Sequence, residues 1–262
     1  MPARPTRAAI IGIVFISLLA ALTVYISSSI DLSQFQQNVS TQEGLAALRG
    51  IGSPSALENA LKQHPSNNLL RLMARTTKAV NDTKGATDRL SAQIEPARLS
   101  REPDFGSASR DELDAFRRDL KTAEDNATSF LPRYAAILKT EYDQIESATV
   151  SLHVQKEIAG QLLDGIKQRH ARALNAISQT LSARADYYRA YGQYVAFLSS
   201  ELGSFKVVAG QFIFPLQRTV ERYNAAAQAM TSAGRRVAER EAEMKKQEQP
   251  LPEEWSQLTT VK

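Results

Sequence analysis

SRDELDAFRRDLKTAEDNATSFLPRYAAILKTEYDQIESATVSL, residues 109 to 152, repeats an apolar or small side chain every three or four positions. Such intervals keep side chains on one face of an α-helix. The stretch therefore predicts a long amphipathic helix that buries this face. The predicted buried face, which includes one glutamate, consists of Leu113, Phe116, Leu120, Ala123, Ala127, Phe130, Tyr134, Ile137, Glu141, Ile145, Ala148 and Leu152.

The start of this helix and one interior position carry local signals. Ser109 and Glu112 have the spacing of a capping box, which predicts that the helix begins there. Pro132 lies inside the run, and proline removes a helical hydrogen bond. It predicts a kink, or a new helix that starts after Asn126 or Thr128.

The apolar pattern continues without a proline as far as Phe205. One uninterrupted helix would approach about 100 Å at the rise of an α-helix, and the alternative is a chain reversal within the run. AGQLLDG, residues 159 to 165, is the best place for a reversal, because Gly160 and Gly165 flank it and Asp164 can cap the next helix. Interior glycines cost only about 1 kcal/mol each in a helix, so both alternatives stay open.

Further helices are predicted on both sides of the long run. Ser53 and Pro54 indicate a helix start, and Pro65 indicates its end. Apolar spacing between residues 66 and 96 predicts a second helix of about seven turns. Residues 203 to 215 predict a break, and the final amphipathic helix after it would bury Val220, Tyr223, Ala227, Met230 and Val237.

Residues 8 to 30, AAIIGIVFISLLAALTVYISSSI, contain no charged side chain. About 20 such residues span the hydrocarbon core of a bilayer as a helix. Arg4 and Arg7 precede the segment, so the positive-inside rule places the N-terminus in the cytoplasm and the rest outside it. A cleaved signal peptide is the alternative, since Ser27 and Ser29 are small enough for a peptidase site.

These patterns predict an all-α protein in which a single N-terminal transmembrane helix precedes an exported bundle of long, antiparallel, coiled-coil-like helices. The expected location is the inner membrane, with a single crossing and the bulk of the chain in the periplasm. The expected parts are a cytoplasmic N-terminus (1–7), a signal-anchor (8–30), a connector with shorter helices (31–108), the long-helix bundle (109–248) and an extended tail (249–262).

Composition narrows the possible chemistry. The chain has no cysteine, which removes disulfides, thiolate zinc sites and cysteine nucleophiles. The net charge of +4 is too small for a nucleic-acid surface. The charged stretches 111–125 and 235–248 mix both signs and predict solvated helix faces. No catalytic residue, cofactor or metal is predicted; the one metal hypothesis joins His153, Glu157 and His170, and it requires a reversal near residue 162.

DYYRAYGQYVAF, residues 186 to 197, contains four of the eight tyrosines. At about 100° per residue, Tyr187, Tyr191 and Tyr194 share one stripe of a helix, and Tyr188 lies to the side. The stripe predicts helix packing or a contact with a partner, and a ligand pocket is the alternative. Trp255, in the tail, is a further candidate anchor for a partner.

The functional expectation is a non-enzymatic, membrane-anchored periplasmic protein that projects a helical bundle and binds itself or another component of the cell envelope. The alternative is a periplasmic ligand-binding sensor or accessory module of a membrane complex, with the tyrosines lining a small-molecule pocket. An enzyme lacks a supporting pair of residues in the sequence.

Overall fold

The computed structural model describes residues 54 to 101, 104 to 208 and 210 to 248. Within these ranges the fold is predominantly helical, which confirms the all-α prediction. The elements in chain order are α1 (Pro54–Gln63), α2 (Asn68–Ser91), a 3₁₀ helix (Ala97–Ser100), α3 (Arg110–Ser151), α4 (Lys156–Ser200), β1 (Lys206–Val208), β2 (Gln211–Ile213) and α5 (Gln217–Glu248).

The predicted membrane segment, residues 8 to 30, lies outside the described residues, as do the rest of the connector up to residue 53 and the tail 249–262. Within the described ranges, no helical stretch of bilayer-spanning length is hydrophobic enough to serve as a transmembrane helix.

The two short predicted helices form where their boundary residues indicate. Helix α1 begins at Pro54 and ends before Pro65, and α2 has 24 residues, close to seven turns. The Asn67 side chain caps α2, because its Oδ1 accepts hydrogen bonds from the backbone N–H groups of Leu69 (3.0 Å) and Leu70 (3.1 Å).

Helix α3 begins with the predicted capping box. The Ser109 backbone N–H donates to Glu112 Oε2 at 2.7 Å, and the Glu112 N–H donates to Ser109 Oγ at 3.3 Å. The helix continues through Pro132, so the predicted new helix after Asn126 or Thr128 is wrong. Burial follows the predicted face along the whole helix, with Leu138 replacing Ile137 in the core.

The chain reverses at residues 152 to 155, between α3 and α4, and the reversal predicted at residues 159 to 165 is wrong. His153 adopts a left-handed conformation with φ of 50°. The Val154 N–H donates to Thr149 O at 3.0 Å and the His153 N–H donates to Val150 O at 3.1 Å. This is the Schellman arrangement, which glycine usually completes and which His153 completes here.

Two compact units divide the chain, and each is built from separate sequence segments. The described part of the first, called the α1 unit, comprises residues 54–88 and 134–174. Here the end of α3 and the start of α4 form an antiparallel hairpin across the turn. The α1 and α2 helices share a core with this hairpin that contains Leu57, Ala60, Leu70, Leu72, Met73, Ala79, Ile145, Ala148, Leu152, Ile158, Leu162 and Ile166.

The described part of the second, called the α5 unit, comprises residues 89–101, 104–133, 175–208 and 210–246. It contains the start of α3, the end of α4, the β-hairpin and most of α5. The β-hairpin is antiparallel, and Val207 pairs with Phe212. It connects the end of α4 to the start of α5, within the predicted break. The four tyrosines of residues 186–197 lie in this unit.

Candidate functional site

The tyrosines of α4 are mostly buried in the α5 unit. Tyr188 and Tyr191 are each 4% exposed, Tyr194 is 6% exposed, and Tyr187 is half-buried. The predicted stripe therefore forms part of the core. Tyr188, which lies to the side of this stripe on the helix, is also buried. The α4 helix buries a wide face here, because neighbouring segments cover it from more than one direction.

Those segments are α3, α5 and the loop before α3. The Phe116 ring of α3 meets Tyr191 edge-on, with ring centroids 5.4 Å apart. Phe105 of the loop meets Tyr194 edge-on at 6.0 Å, and Tyr223 of α5 lies 5.8 Å from Tyr194. Edge-to-face pairs at such separations are favourable beyond the area that they bury. The aromatic cluster therefore joins α4 to three other segments.

The cluster extends into the β-hairpin. Phe197 of α4 lies 5.8 Å from Phe214, and Phe214 lies 5.2 Å from Tyr223. Phe212 of β2 contacts Phe205 at 5.2 Å. The hairpin is thus fixed to α4 and α5 by aromatic side chains on its inner face.

A charged group lies beside Tyr188. The Tyr188 hydroxyl donates to Glu95 Oε1 at 2.5 Å. The Arg184 guanidinium donates to Glu241 Oε1 from Nε at 3.2 Å and from Nη2 at 2.6 Å, and its Nη1 lies 3.6 Å from Glu95 Oε1. Arg184 and Glu241 are both buried. A buried ion pair has to offset the loss of hydration of both groups, so close hydrogen bonds are required.

The buried Glu241 corrects one prediction. Val237 is buried, as predicted for the apolar face of this helix, but Glu241 and Met244 are buried as well, so residues 235–248 do not form a fully solvated face. Their spacing of four and three residues marks an inward stripe. The sequence shows this spacing, but a glutamate within it indicates a surface position unless its buried partner is known.

Burial sets the ionisation of this group. It raises the pKa of the Tyr188 phenol, and the neighbouring Glu95 carboxylate adds to the rise. Burial opposes the charge of Arg184, yet contacts with Tyr188, Glu241 and Glu95 outweigh it and raise the pKa of the guanidinium. Tyr188 is therefore a neutral donor and Arg184 a permanent cation at neutral pH.

The α5 unit contains two hollows beside these residues. A small cavity of ≈ 60 Å³ borders Tyr187, Tyr188 and Tyr191, together with Glu95 and Arg184. This is room for a water or two, and drug-sized ligands occupy pockets of about 300 Å³ or more. The cavity that the tyrosines border is therefore too small for a typical metabolite.

The larger hollow is an open groove of ≈ 510 Å³ between α3 and α4, which Arg117, Lys121 and Arg189 border. All three are engaged in ion pairs, with Asp114 at 3.3 Å, Asp125 at 2.6 Å and Glu124 at 2.8 Å, respectively. These exposed pairs fit the solvated face predicted for residues 111–125. Arg118 also borders the groove, and it makes no ion pair with a described residue.

The α1 unit has its own buried polar group. Glu141, which is 2% exposed, lies 3.3 Å from His170 Nε2 and 3.5 Å from Arg169 Nη2. Burial lowers the pKa of Arg169, whereas Glu141 favours its charge. Burial also raises the pKa of the nearby Tyr134 phenol. The expectation that Glu141 faces the interior is confirmed.

The proposed metal site does not form. His153 is exposed in the turn, and His170 is bonded to Glu141. The grouping required a reversal near residue 162, and the turn lies at 152 to 155. Within the described ranges, no three side chains of the His, Cys, Asp or Glu type are placed to hold a metal ion.

The remaining candidate, Trp255, lies outside the described residues. Beside the aromatic cluster, the Tyr188 phenol and the Arg184 guanidinium bind the carboxylates of Glu95 and Glu241, an arrangement that fixes helices in place. Comparisons with protein-family models, with curated proteins and with solved structures find no match to this chain.

Proposed function

We propose that this chain is a non-enzymatic structural or interaction protein, anchored in the inner membrane by residues 8–30, which presents its helical part to the periplasm and binds itself or another envelope component. One observation carries the proposal. The helices α3 and α4, of 42 and 45 residues, each bury a mainly apolar face and expose a charged face. Within each unit, helices packed in this way present an exposed charged face that can contact a partner.

The buried groups support this role. The α4 tyrosines are committed to internal packing, and the Arg184–Glu241 and His170–Glu141 contacts are internal. The candidate surface is therefore the charged exterior of the helices, and the predicted contact through Tyr191 and Tyr194 is less favoured.

Partner binding is tested by photo-crosslinking in intact cells. A photoreactive amino acid replaces exposed Lys78 of α2, Lys139 of α3 or Arg236 of α5 in the full chain. We expect at least one position to capture an envelope protein or a second copy of the chain. Absence of any adduct at all three positions, with the chain folded and at normal abundance, would argue against the proposal.

Membrane anchoring has its own test. The full chain should remain with membranes during alkaline extraction. Leu18→Arg combined with Leu19→Arg should release it, because each arginine costs about 2.5–3.5 kcal/mol at the centre of a membrane helix. Release of the unaltered chain at alkaline pH, with an intact N-terminus, would exclude a membrane anchor. A shortened N-terminus would support the cleaved signal peptide.

The ligand-binding alternative rests on the open groove of ≈ 510 Å³, since Arg118 borders it without an ion partner among the described residues. A small anionic metabolite should then raise the melting temperature by mass action. Arg118→Gln should abolish the increase, and Arg236→Gln, which removes an exposed arginine elsewhere on the same unit, should preserve it. No increase with any anion would leave the structural role as the better proposal.

A further inference from the structure

The β-hairpin region concentrates exposed aliphatic side chains. The large hydrophobic residues that are clearly exposed within the described ranges are Val150, Val207, Val208, Ile213 and Leu216, and all but Val150 lie between residues 207 and 216. Val208, Ile213 and Leu216 are 54%, 52% and 64% exposed. A cluster of this kind marks a contact surface more often than scattered apolar residues do.

The two faces of the hairpin differ. Val207 and Phe212 form one cross-strand pair on the inner face, where Val207 lies against Gly106 but stays 37% exposed, and Phe212 contacts Phe205. Side chains alternate along a strand, so the adjacent pairs, Lys206 with Ile213 and Val208 with Gln211, face outward. The aliphatic residues of this outer face lie directly beside a lysine.

The hairpin segment itself carries positive charge. Residues 202 to 220 contain Lys206 and Arg218 and no Asp or Glu. Both side chains are exposed, and neither makes an ion pair with a described residue. Of the nearby described carboxylates, Glu201 is neutralised by Arg222 at 3.2 Å, whereas Asp104 accepts hydrogen bonds only from the uncharged donors Gly106 N and Ser107 Oγ and keeps its negative charge. Glu221 accepts a hydrogen bond from Gln217 Nε2 at 3.3 Å.

This combination of aliphatic and unpaired basic residues fits one occupant. We infer that the outer face of the β-hairpin (Lys206, Val208 and Ile213), together with the exposed Leu216 and Arg218 that follow it in the chain, docks on an anionic lipid surface. The basic groups meet lipid phosphates, and the aliphatic side chains enter the boundary with the acyl chains. This is a second membrane contact, independent of residues 8–30.

Other occupants fit less well. Strands of three residues, with Lys206 on one of them, are poor templates for an added strand. A second copy docked on the same face would bring Lys206 and Arg218 of both copies together, and neither cation has an ion partner among the described residues. An anionic bilayer supplies both the apolar region and the opposite charge.

The test uses a single fluorescent probe, which is feasible because the chain has no cysteine. The full chain is held in phosphatidylcholine nanodiscs, and Ile213→Cys carries an environment-sensitive label. The matched control is Val150→Cys, since Val150 is also aliphatic, 72% exposed and in the α1 unit. Vesicles of phosphatidylcholine, with or without phosphatidylglycerol, carry a nitroxide-labelled lipid that quenches the label on contact.

We expect quenching and a blue shift at position 213 only with the phosphatidylglycerol vesicles, and neither at position 150. Lys206→Gln with Arg218→Gln should raise the lipid concentration for half-quenching about 30-fold, at about fivefold for each basic residue. Arg236→Gln with Lys245→Gln should leave it unchanged, because these exposed basic residues lie far along α5 from the hairpin. Circular dichroism checks that each variant is folded.

Three outcomes would overturn the inference. The first is no response at position 213 with anionic vesicles. The second is an equal response at position 150 or with phosphatidylcholine alone, which would show that the hairpin and its charges do not determine contact. The third is a blue shift without vesicles that grows with protein concentration, which would identify a second copy as the occupant.

Discussion

At the scale of single residues, tyrosine and charged side chains occupy buried core positions in this chain, as leucine does. Tyr191 lies between Phe116 and Tyr187, with ring centroids 5.4 Å and 5.8 Å away. Arg184 and Glu241 form a buried pair next to Tyr188. The tyrosine stripe could be read from spacing alone. The ion pair could not, because a charged residue is buried only where a partner from a distant segment reaches it.

Tyr191→Ala should destabilise the protein by about 3 kcal/mol or more, since it removes a buried ring and leaves a cavity. Tyr191→Phe keeps the ring contacts and should cost clearly less. The measurement is urea denaturation of both variants. A neutral Tyr191→Ala would contradict the core position of the ring.

Glu241→Leu alone should cost about 3–5 kcal/mol, because it leaves the Arg184 charge buried without its main partner. Adding Arg184→Met should recover most of this loss. The exposed pair Arg235 and Glu239, 4.0 Å apart, is the control, and its removal should change stability by about 1 kcal/mol at most. If the stability lost in the double variant equals the sum of the losses in the two single variants, Arg184 and Glu241 are not a coupled pair.

At the scale of elements, helix boundaries followed from capping residues and prolines. The capping box of Ser109 and Glu112 correctly predicts the start of α3, and Pro65 correctly predicts the end of α1. The turn at 152 to 155 was missed because His153 takes the left-handed position where glycine is usual. The sequence predicts only a break at the β-hairpin, because strands of three residues are too short to show an alternation of apolar and polar side chains.

Gly160 offers a direct test of the turn's position. It lies inside α4, and a Cβ there would meet no atom within 4 Å. Gly160→Ala should therefore stabilise the protein by about 0.5–1 kcal/mol through helix propensity. Gly203→Ala should destabilise by about 1–2 kcal/mol, because Gly203 has φ of 88°. Thermal denaturation distinguishes the two, and destabilisation by Gly160→Ala would favour a turn at 159–165.

At the scale of the whole molecule, both units bury a tyrosine in a polar interior, which predicts alkaline sensitivity. Burial raises the pKa of Tyr134 and of Tyr188 above the ordinary value of 10.0. The unfolded chain then releases these protons first as the pH rises. Stability is complete below about pH 10 and declines above it, by up to about 1.4 kcal/mol per pH unit for each tyrosine.

Urea midpoints measured on both sides of pH 10 test this expectation. Tyr134→Phe should reduce the loss above pH 10, because the phenylalanine has no proton to release. The same variant at neutral pH provides the baseline for any packing change. An unaltered alkaline slope in the variant would show that Tyr134 does not contribute to the decline.

The interleaving of the two units has a consequence for the order of folding. The α5 unit needs residues 89–133 and 175–246, and the α1 unit needs residues 134–174 between them. The α1 unit also needs residues 54–88, so it is complete only once the chain has been synthesised through residue 174, and residues 89–133 must then wait for residues 175–246 before the α5 unit is complete. A single cut in the turn at residues 152 to 155 would release neither unit, because each would still hold two fragments together.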